Sequence, residues 1–354
     1  MAHARTVSHM TSIQIQPKLS ICIPTYDRAN LLGQALQAIS HQWELDLSEQ
    51  QQLQIELIIS DNHSPDETPQ VIARLSSSFP SLPLISFRQP ENIGAAANVL
   101  HVAAMATGEY IYLLSDDDLL LPGALAGMLT LIGEYPQMPA FCLNTRSFVH
   151  DPALGVTKPD FKVFSDQAIK DRSECLQFIG SRITFISLLL FRRDHLSPSG
   201  YSHRTTSRIP HSYPFLDVLS RDGRMVATKQ VFLAVRGNNT GGYSFYEVFV
   251  SHFADVMRYA RSQGYSEKAV QAVLSQHLIR FLAPFTAYFK LHGTFGQLQP
   301  DFSDGVKRLL AEYGFHPLFI FGLLPMMLAP PKLAKGIHRI FRWIRGQKEK
   351  RDAL

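Results

Sequence analysis

The chain has 354 residues, 45% hydrophobic and 18% charged, the balance of a packed protein with one large core plus additions, which excludes a disordered chain. Its net charge of +4 hides an asymmetry: residues 332–354 hold eight Lys/Arg and two Asp/Glu, a net of +6, which leaves −2 for residues 1–331. A mildly acidic body excludes general nucleic-acid binding, and three widely spaced cysteines (Cys22, Cys142, Cys175) exclude a disulfide framework and a CxxC zinc site.

Residues 1–17 hold no apolar run long enough for a signal peptide. They are expected to be a flexible leader, and the protein to work in the cytoplasm or on a membrane facing it. Leu19–Ile23 then reads as a buried strand ending at Pro24, and Arg28–Ser40 as a helix with Leu31, Leu32, Ala35, Leu36 and Ile39 at helical spacing. Ile55–Ile59 is a second strand, Thr68–Ser76 a second helix, Leu84–Phe87 a weaker third strand, Ala95–Ala106 a third helix and Tyr110–Leu114 a fourth strand. Such alternation predicts right-handed crossovers and a largely parallel sheet. Ligands of such sheets bind beyond the carboxyl ends of the strands.

Those ends are polar: residues 24–28 (Pro-Thr-Tyr-Asp-Arg), 60–64 (Ser-Asp-Asn-His-Ser), 91–94 (Glu-Asn-Ile-Gly) and 115–118 (Ser-Asp-Asp-Asp). Asp116 and Asp118, two apart on an extended segment, point the same way and offer hard oxygen ligands suited to Mg²⁺ or Mn²⁺ rather than zinc. The alternative is an acidic turn that caps the following helix; its place after a buried strand favours the metal. Other chemistries are excluded. No GxGxxG follows the first strand, where Pro24-Thr25-Tyr26 stands instead, and neither GxxxxGK[ST] nor HExxH occurs anywhere.

Further along, 151–173 is polar and poorly patterned, and Arg236-Gly-Asn-Asn-Thr-Gly-Gly-Tyr243 is a glycine-rich loop suited either to closing over a ligand or to plain connection. Residues 245–290 read as helices with an aromatic packed face, which leaves pairing of subunits into a homo-oligomer open. Leu318–Ala329 is uncharged but too short to span a bilayer. In Lys332–Arg345 the residues Leu333, Ile337, Ile340, Phe341 and Ile344 form one stripe and Lys332, Lys335, Arg339, Arg342 and Arg345 another. Residues 317–345 are therefore expected to associate with an anionic membrane surface, the alternative being docking on the protein's own body.

The segments Ser20–Arg28, Ile58–Asn62 with Ser64–Thr68, Asn92–Gly94 and Leu114–Asp118, in this order across residues 19–130, resemble family 2 glycosyltransferases. These are inverting enzymes with a nucleotide-diphospho-sugar-binding fold. Phe185–Arg193 and Ile209–Leu219 resemble, more weakly, the bacterial O-antigen branch that includes abequosyl- and rhamnosyltransferases. The resemblance implies an α/β fold, a mostly parallel nucleotide-sugar-binding sheet flanked by helices (GT-A-like), with a helical C-terminal extension. Residues 18–243 would be the catalytic domain, 18–130 binding the donor and 131–243 facing the acceptor, and 244–354 the helical region.

By the same resemblance Pro24, Thr25 and Tyr26 would line the nucleotide base, with Arg28 near the phosphates. Asp61 would accept a hydrogen bond from the base imide, and Asn92 and Gly94 would belong to the donor-supporting loop. Asp116–Asp118 would be the DxD motif, with Asp116 and Asp117 toward the donor and Asp118 with Asp116 toward a Mg or Mn ion. The implied reaction moves a sugar from a nucleotide-diphosphate donor to a lipid-linked, undecaprenyl-type glycan in bacterial surface polysaccharide synthesis, peripherally at the cytoplasmic face of the inner membrane. The family's Glu-Asp pair, source of the general base, is replaced here by His211 and Ser212, so His211 or Asp217 would take the acceptor proton. That replacement keeps a non-catalytic nucleotide-sugar-binding protein as an alternative. A sugar-1-phosphate nucleotidyltransferase would need a glycine- and lysine-rich loop near the first strand, which is missing.

Overall fold

Leu19–Thr25 forms strand β1, and its side chains alternate between two apolar layers: Ile21 and Ile23 enter one, Cys22 the other. Burial on both faces marks a central strand of a covered sheet. The computed structural model describes residues 16–148, 165–196, 201, 204–237, 242–295, 297–334 and 336. Most of the expected leader, most of 151–173 and the loop residues 238–241 lie outside the described residues, as does the amphipathic stretch beyond 336.

Helix α1 (Ala29–Leu45) buries Leu32, Ala35, Leu36 and Ile39, the predicted stripe. It runs past the predicted end because Trp43 continues the buried face and the Gln42 amide reaches the Leu120 carbonyl at 3.3 Å. A one-turn helix α2 (Glu49–Gln52), closed by a Ser48–Gln51 capping box, leads into β2 (Ile55–Asp61). There follow α3 (Thr68–Ser78), β3 (Leu84–Arg88), α4 (Ala95–Ala104) and β4 (Tyr110–Leu113). Every element expected between residues 19 and 114 is present. β1 pairs in parallel with β2 and with β4, and β2 with β3.

The remaining strands are β5 (Leu119–Leu120), β6 (Ala140–Phe148), β7 (Gln167–Ile169), β8 (Leu189–Arg192) and β9 (Met225–Arg236), with helices α5 (Ala124–Glu134), α6 (Arg172–Ile179) and α7 (Ser212–Asp222) between them. Among the described residues nine strands make one sheet in the order β3-β2-β1-β4-β8-β6-β9-β5, with β7 also on β9. The expected parallel arrangement holds for the first four strands. Beyond β4 the sheet is mixed, because β8 runs antiparallel to both β4 and β6, and β5 and β7 run antiparallel to β9. Short apolar runs reveal strands but not their direction, which pairing between distant segments decides.

Among the described residues five C-terminal α-helices follow: α8 (Phe253–Ser262), α9 (Glu267–His277), α10 (Ala283–His292), α11 (Phe302–Tyr313) and α12 (Leu324–Leu328). Their apolar faces merge with Cys22, Ile111 and Leu189 into one core layer, while Leu36, Ile72 and Met128 of α1, α3 and α5 cover the other side of the sheet. Among the described residues no helix is long and apolar enough to cross a membrane. Beyond α11, Phe315, Phe321, Leu328 and Leu333 stand 95, 83, 70 and 59% exposed.

Candidate active site

The register of the parallel strands places Thr25, Asp61 and Arg88 abreast at their carboxyl ends. Two loops then turn through the left-handed region at non-glycine residues, Asp27 (φ 54°) and His63 (φ 65°), a strain tolerated where the surroundings over-determine the backbone. Here they do. The Asp27 N–H donates to Ser64 Oγ at 3.0 Å, the Ala29 N–H to Asp66 Oδ2 at 2.8 Å and the Asn62 N–H to the Thr25 carbonyl at 2.9 Å.

Asp61 is 1% exposed. Its Oδ1 accepts the Ser64 N–H at 2.9 Å, but its buried Oδ2 receives no hydrogen bond among the described residues; the nearest charge is Arg88 Nε at 3.7 Å. Asn92 builds the neighbouring loop, its Oδ1 accepting from Asn62 Nδ2 at 2.8 Å and the Gly94 N–H at 2.9 Å. Gly94 opens α4 at φ 84°, a conformation that suits glycine. Pro24 faces Ser60 across the β1–β2 pair, and Tyr26 beyond it is 41% exposed.

The three carboxylates after β4 are each less than a tenth exposed. Asp116 accepts from Thr25 Oγ1 at 2.8 Å and from Arg28 Nη1 at 2.9 Å, so the Thr25 hydroxyl serves this carboxylate. Asp117 accepts from Ser115 Oγ at 2.6 Å and also faces Arg28 at 3.4 Å. Asp118 accepts from Ser187 Oγ at 2.7 Å and from the Arg236 N–H at 3.0 Å. Burial pushes the Asp116 carboxyl up to about 6, with Arg28 opposing the rise. Burial and then the Asp117 charge push Asp118 well above the usual carboxylate range. Burial works against the Arg28 charge, but Asp116 and Asp117 outweigh it and hold the guanidinium firmly protonated.

Two residues of this rim were not singled out from the sequence. Arg236 ends β9, donates through Nε to the Asp117 carbonyl at 3.2 Å and through Nη2 to Gln34 at 2.7 Å, and lies 4.7 Å over the Phe148 ring. It heads the glycine-rich loop noted in the sequence, which was the available signal. Ser187 had only its place in the weakly resembling 185–193 segment.

The two candidate proton acceptors lie apart from these contacts. His211 precedes α7, is 3% exposed, and its Nε2–H donates to the Ile183 carbonyl at 3.0 Å. Burial lowers it to about 4. Asp217, on α7, accepts from the hydroxyls of Tyr201 and Tyr259, the latter at 2.5 Å. A second buried histidine, His277, lies 3.8 Å from the Phe253 ring and bonds Ser181 Oγ at 2.8 Å and the Phe249 carbonyl at 2.6 Å; burial lowers it to about 3.

Both imidazoles are neutral in the fold at neutral pH. A histidine lowered from 6.5 makes the unfolded chain bind more protons, so stability is full above the unfolded value and falls as pH drops toward the folded one. Asp116 and Asp118, raised in the fold, gain stability over the same range, so the histidine contribution is read as a difference. His211→Gln is expected to lose less stability on melting than the parent between pH 6.5 and 4, by an amount on the order of 3 kcal/mol. The same pH dependence of melting in parent and variant would contradict this.

A sheet whose strand ends converge on an acidic rim braced by two arginines, with one buried carboxylate oxygen left open beside it, defines a nucleotide-sugar-binding fold of the GT-A-like glycosyltransferase class. Residues 20–158 match the family described as Glycosyl transferase family 2. The chain carries a domain of that family over those residues and is a glycosyltransferase. It is 26% identical over 234 residues to abequosyltransferase RfbV of Salmonella typhimurium, covering 62% of this chain and 67% of the relative. It is 33% identical over 128 residues to the GalNAc(5)-diNAcBac-PP-undecaprenol beta-1,3-glucosyltransferase of Campylobacter jejuni, covering 36% of this chain and 38% of that relative.

Among solved structures, S. aureus TarS 1–349 in complex with UDP-GlcNAc superposes with a TM-score of 0.56 at 14% identity, over 94% of this chain and 92% of that one. Mannosyltransferase PcManGT from Pyrobaculum calidifontis, in complex with GDP-Man and Mn²⁺, gives 0.53 at 18% identity over 86% and 83%. At these identities the likeness is one of fold.

Proposed function

We propose that this chain moves one sugar, with inversion, from a nucleotide-diphosphate donor seated on the acidic rim to a lipid-linked glycan of bacterial surface polysaccharide, at the cytoplasmic face of the inner membrane. The observation that carries the donor site is the open Oδ2 of Asp61, buried one strand away from the rim. A buried carboxylate oxygen without a donor costs about 1–3 kcal/mol, and the imide N–H of a uracil, thymine or guanine ring would relieve it. Pro24 and Tyr26 would flank that base, Asn92 and Gly94 support its loop, and Arg28 and Arg236 meet the diphosphate. The O-antigen reading draws on the Salmonella relative, and the lipid-linked acceptor on the undecaprenol in the Campylobacter relative's name.

A divalent ion fits the donor chemistry of this rim: Asp116 and Asp118 are hard oxygen ligands whose burial disfavours their own charge. Among the described residues no cluster of three or more His, Cys, Asp or Glu side chains is arranged for an ion, so the remaining ligands would be other oxygens: donor phosphates, water, hydroxyls or backbone carbonyls. When bound, Mg²⁺ or Mn²⁺ would neutralise the departing diphosphate. The exposed Phe315, Phe321, Leu328 and Leu333, followed in sequence by the basic stretch, support peripheral attachment to an anionic membrane.

Isothermal titration with UDP, dTDP, GDP and CDP, with and without Mn²⁺, tests the donor site. Cytosine presents an acceptor where the others present the imide N–H, so CDP is expected to bind at least about tenfold more weakly. Asp61→Asn, which turns an amide donor into that position, is expected to erase or reverse this preference. No binding of any nucleoside diphosphate by the folded protein would refute the reading.

For the acceptor proton we place His211 ahead of Asp217. His211 is joined through Ile183 to the strip that carries Ser187, whereas Asp217 anchors two tyrosines. His211→Gln is expected to lower kcat about 10²-fold with donor affinity unchanged, and Asp217→Asn to act mainly on melting temperature. The opposite pattern in kinetics and melting would exchange the two roles.

A further inference from the structure

The strip Gly180–Leu188 starts at α9 and ends at the acidic rim. At one end Ser187 donates to Asp118. Five residues earlier, and at most about 17 Å away even if fully extended, Arg182 donates to the Phe178 carbonyl at 2.5 Å and lies 5.2 Å over the Phe178 ring. The Ser181–His277 bond of 2.8 Å ties this end to the helical stretch Leu278–Leu282, which carries Arg280 and Phe281. Phe281 meets Phe185 edge-on at 6.5 Å, and Phe185 is 40% exposed. Burial weakens the Arg182 cation, Cys142 opposes that, and the like charge of Arg280 adds a smaller weakening. The Ser181–His277 bond and the Phe185–Phe281 contact set the two arginine-bearing segments side by side. Like guanidinium charges on neighbouring segments repel, and an anion held between them turns that repulsion into charge-assisted bonding.

An aromatic wall continues from this point. Phe281 contacts Phe285 at 5.0 Å, and Phe285 contacts Phe295 at 5.5 Å. The α10 helix that carries Phe285 packs against α12, and the neighbouring outer side chains Phe321 and Leu328 are the exposed ones. We propose that Arg182 and Arg280 seat the diphosphate of a polyprenyl-diphosphate-linked acceptor, with its first isoprene units along Phe185, Phe281 and Phe285. This rests on the lipid-linked acceptor proposed above and assigns its head group a place. The molecule presents rim, cations, aromatic wall and exposed apolar ridge in the order of the acceptor's parts: reacting hydroxyl, diphosphate, isoprenoid and membrane. The short reach from Arg182 to Ser187 leaves room for only a short saccharide between diphosphate and reacting hydroxyl.

The test is isothermal titration of the full chain with farnesyl diphosphate, inorganic pyrophosphate and farnesol, its donor site first saturated with whichever nucleoside diphosphate binds. Farnesyl diphosphate is expected to bind the parent protein more tightly than pyrophosphate or farnesol. Arg182→Gln with Arg280→Gln should weaken it about tenfold or more, and Phe281→Ala should weaken it while leaving pyrophosphate unchanged. Retained nucleoside diphosphate affinity certifies the fold of each variant; should the double variant lose it, Arg280→Gln alone, at an exposed position, carries the test. Equal binding by parent and variants, or pyrophosphate binding as tightly as farnesyl diphosphate, overturns the subsite and leaves the lipid-linked acceptor standing. A parent protein that binds nucleoside diphosphate but no prenyl diphosphate overturns both.

Discussion

Asp118→Asn is expected to lower kcat/KM by about 10³-fold or more while the melting temperature holds or rises. The substitution keeps the shape and both hydrogen bonds: the amide oxygen can accept the Arg236 N–H, and the amide nitrogen can donate to Ser187 Oγ, whose own hydrogen is free to turn elsewhere. What disappears is the charge, which burial and Asp117 already disfavour in the fold. Removing it therefore does not cost stability. On the proposed donor placement, electrostatic stabilisation of a departing diphosphate would need that charge, at several kcal/mol of barrier. Steady-state kinetics beside thermal melting separates the two effects, and a variant with near-parent kcat/KM would remove Asp118 from the reaction.

Arg28→Ala is expected to harm both fold and activity. Its guanidinium is the cation between Asp116 and Asp117, at 2.9 and 3.4 Å, and is 28% exposed against 5 and 12% for the two carboxylates. Deleting one partner of a largely buried pair strands the other charges, here at a cost of about 2 kcal/mol after allowing for the arginine's partial exposure. Transfer should fall about 10²-fold or more, because on the proposed placement of the donor a cation facing its diphosphate would be lost with it. Arg28→Lys restores charge but not the planar fork that spans two carboxylates, so it should recover most of the stability and little of the rate. Full recovery of both by lysine would show that Arg28 acts only as a point charge.

Much of the chain up to Leu113 was legible because its signals are local. A period of two or 3.6 shows in any short window, so the strands and helices from Leu19 to Leu113 could be read one by one. Parallel strands joined by helices bring their carboxyl ends to one edge, so Thr25, Asp61 and Asp116 could be gathered before any coordinates were known. The part beyond Leu113 was less legible. The Asp118 partners come from 69 and 118 residues away, and neither Ser187 nor Arg236 stands out in its own segment.

The sequence by itself determined the class of sheet, the polar strand ends and the family, since these depend on periodicity and on motifs that each lie within a few residues. Only the tertiary structure decided the direction of β8, the use of Thr25 on Asp116, the open oxygen of Asp61 and the burial of His211. Each of these depends on which distant segment comes to lie against a residue, and burial and hydrogen-bond satisfaction become defined only once that neighbour is in place.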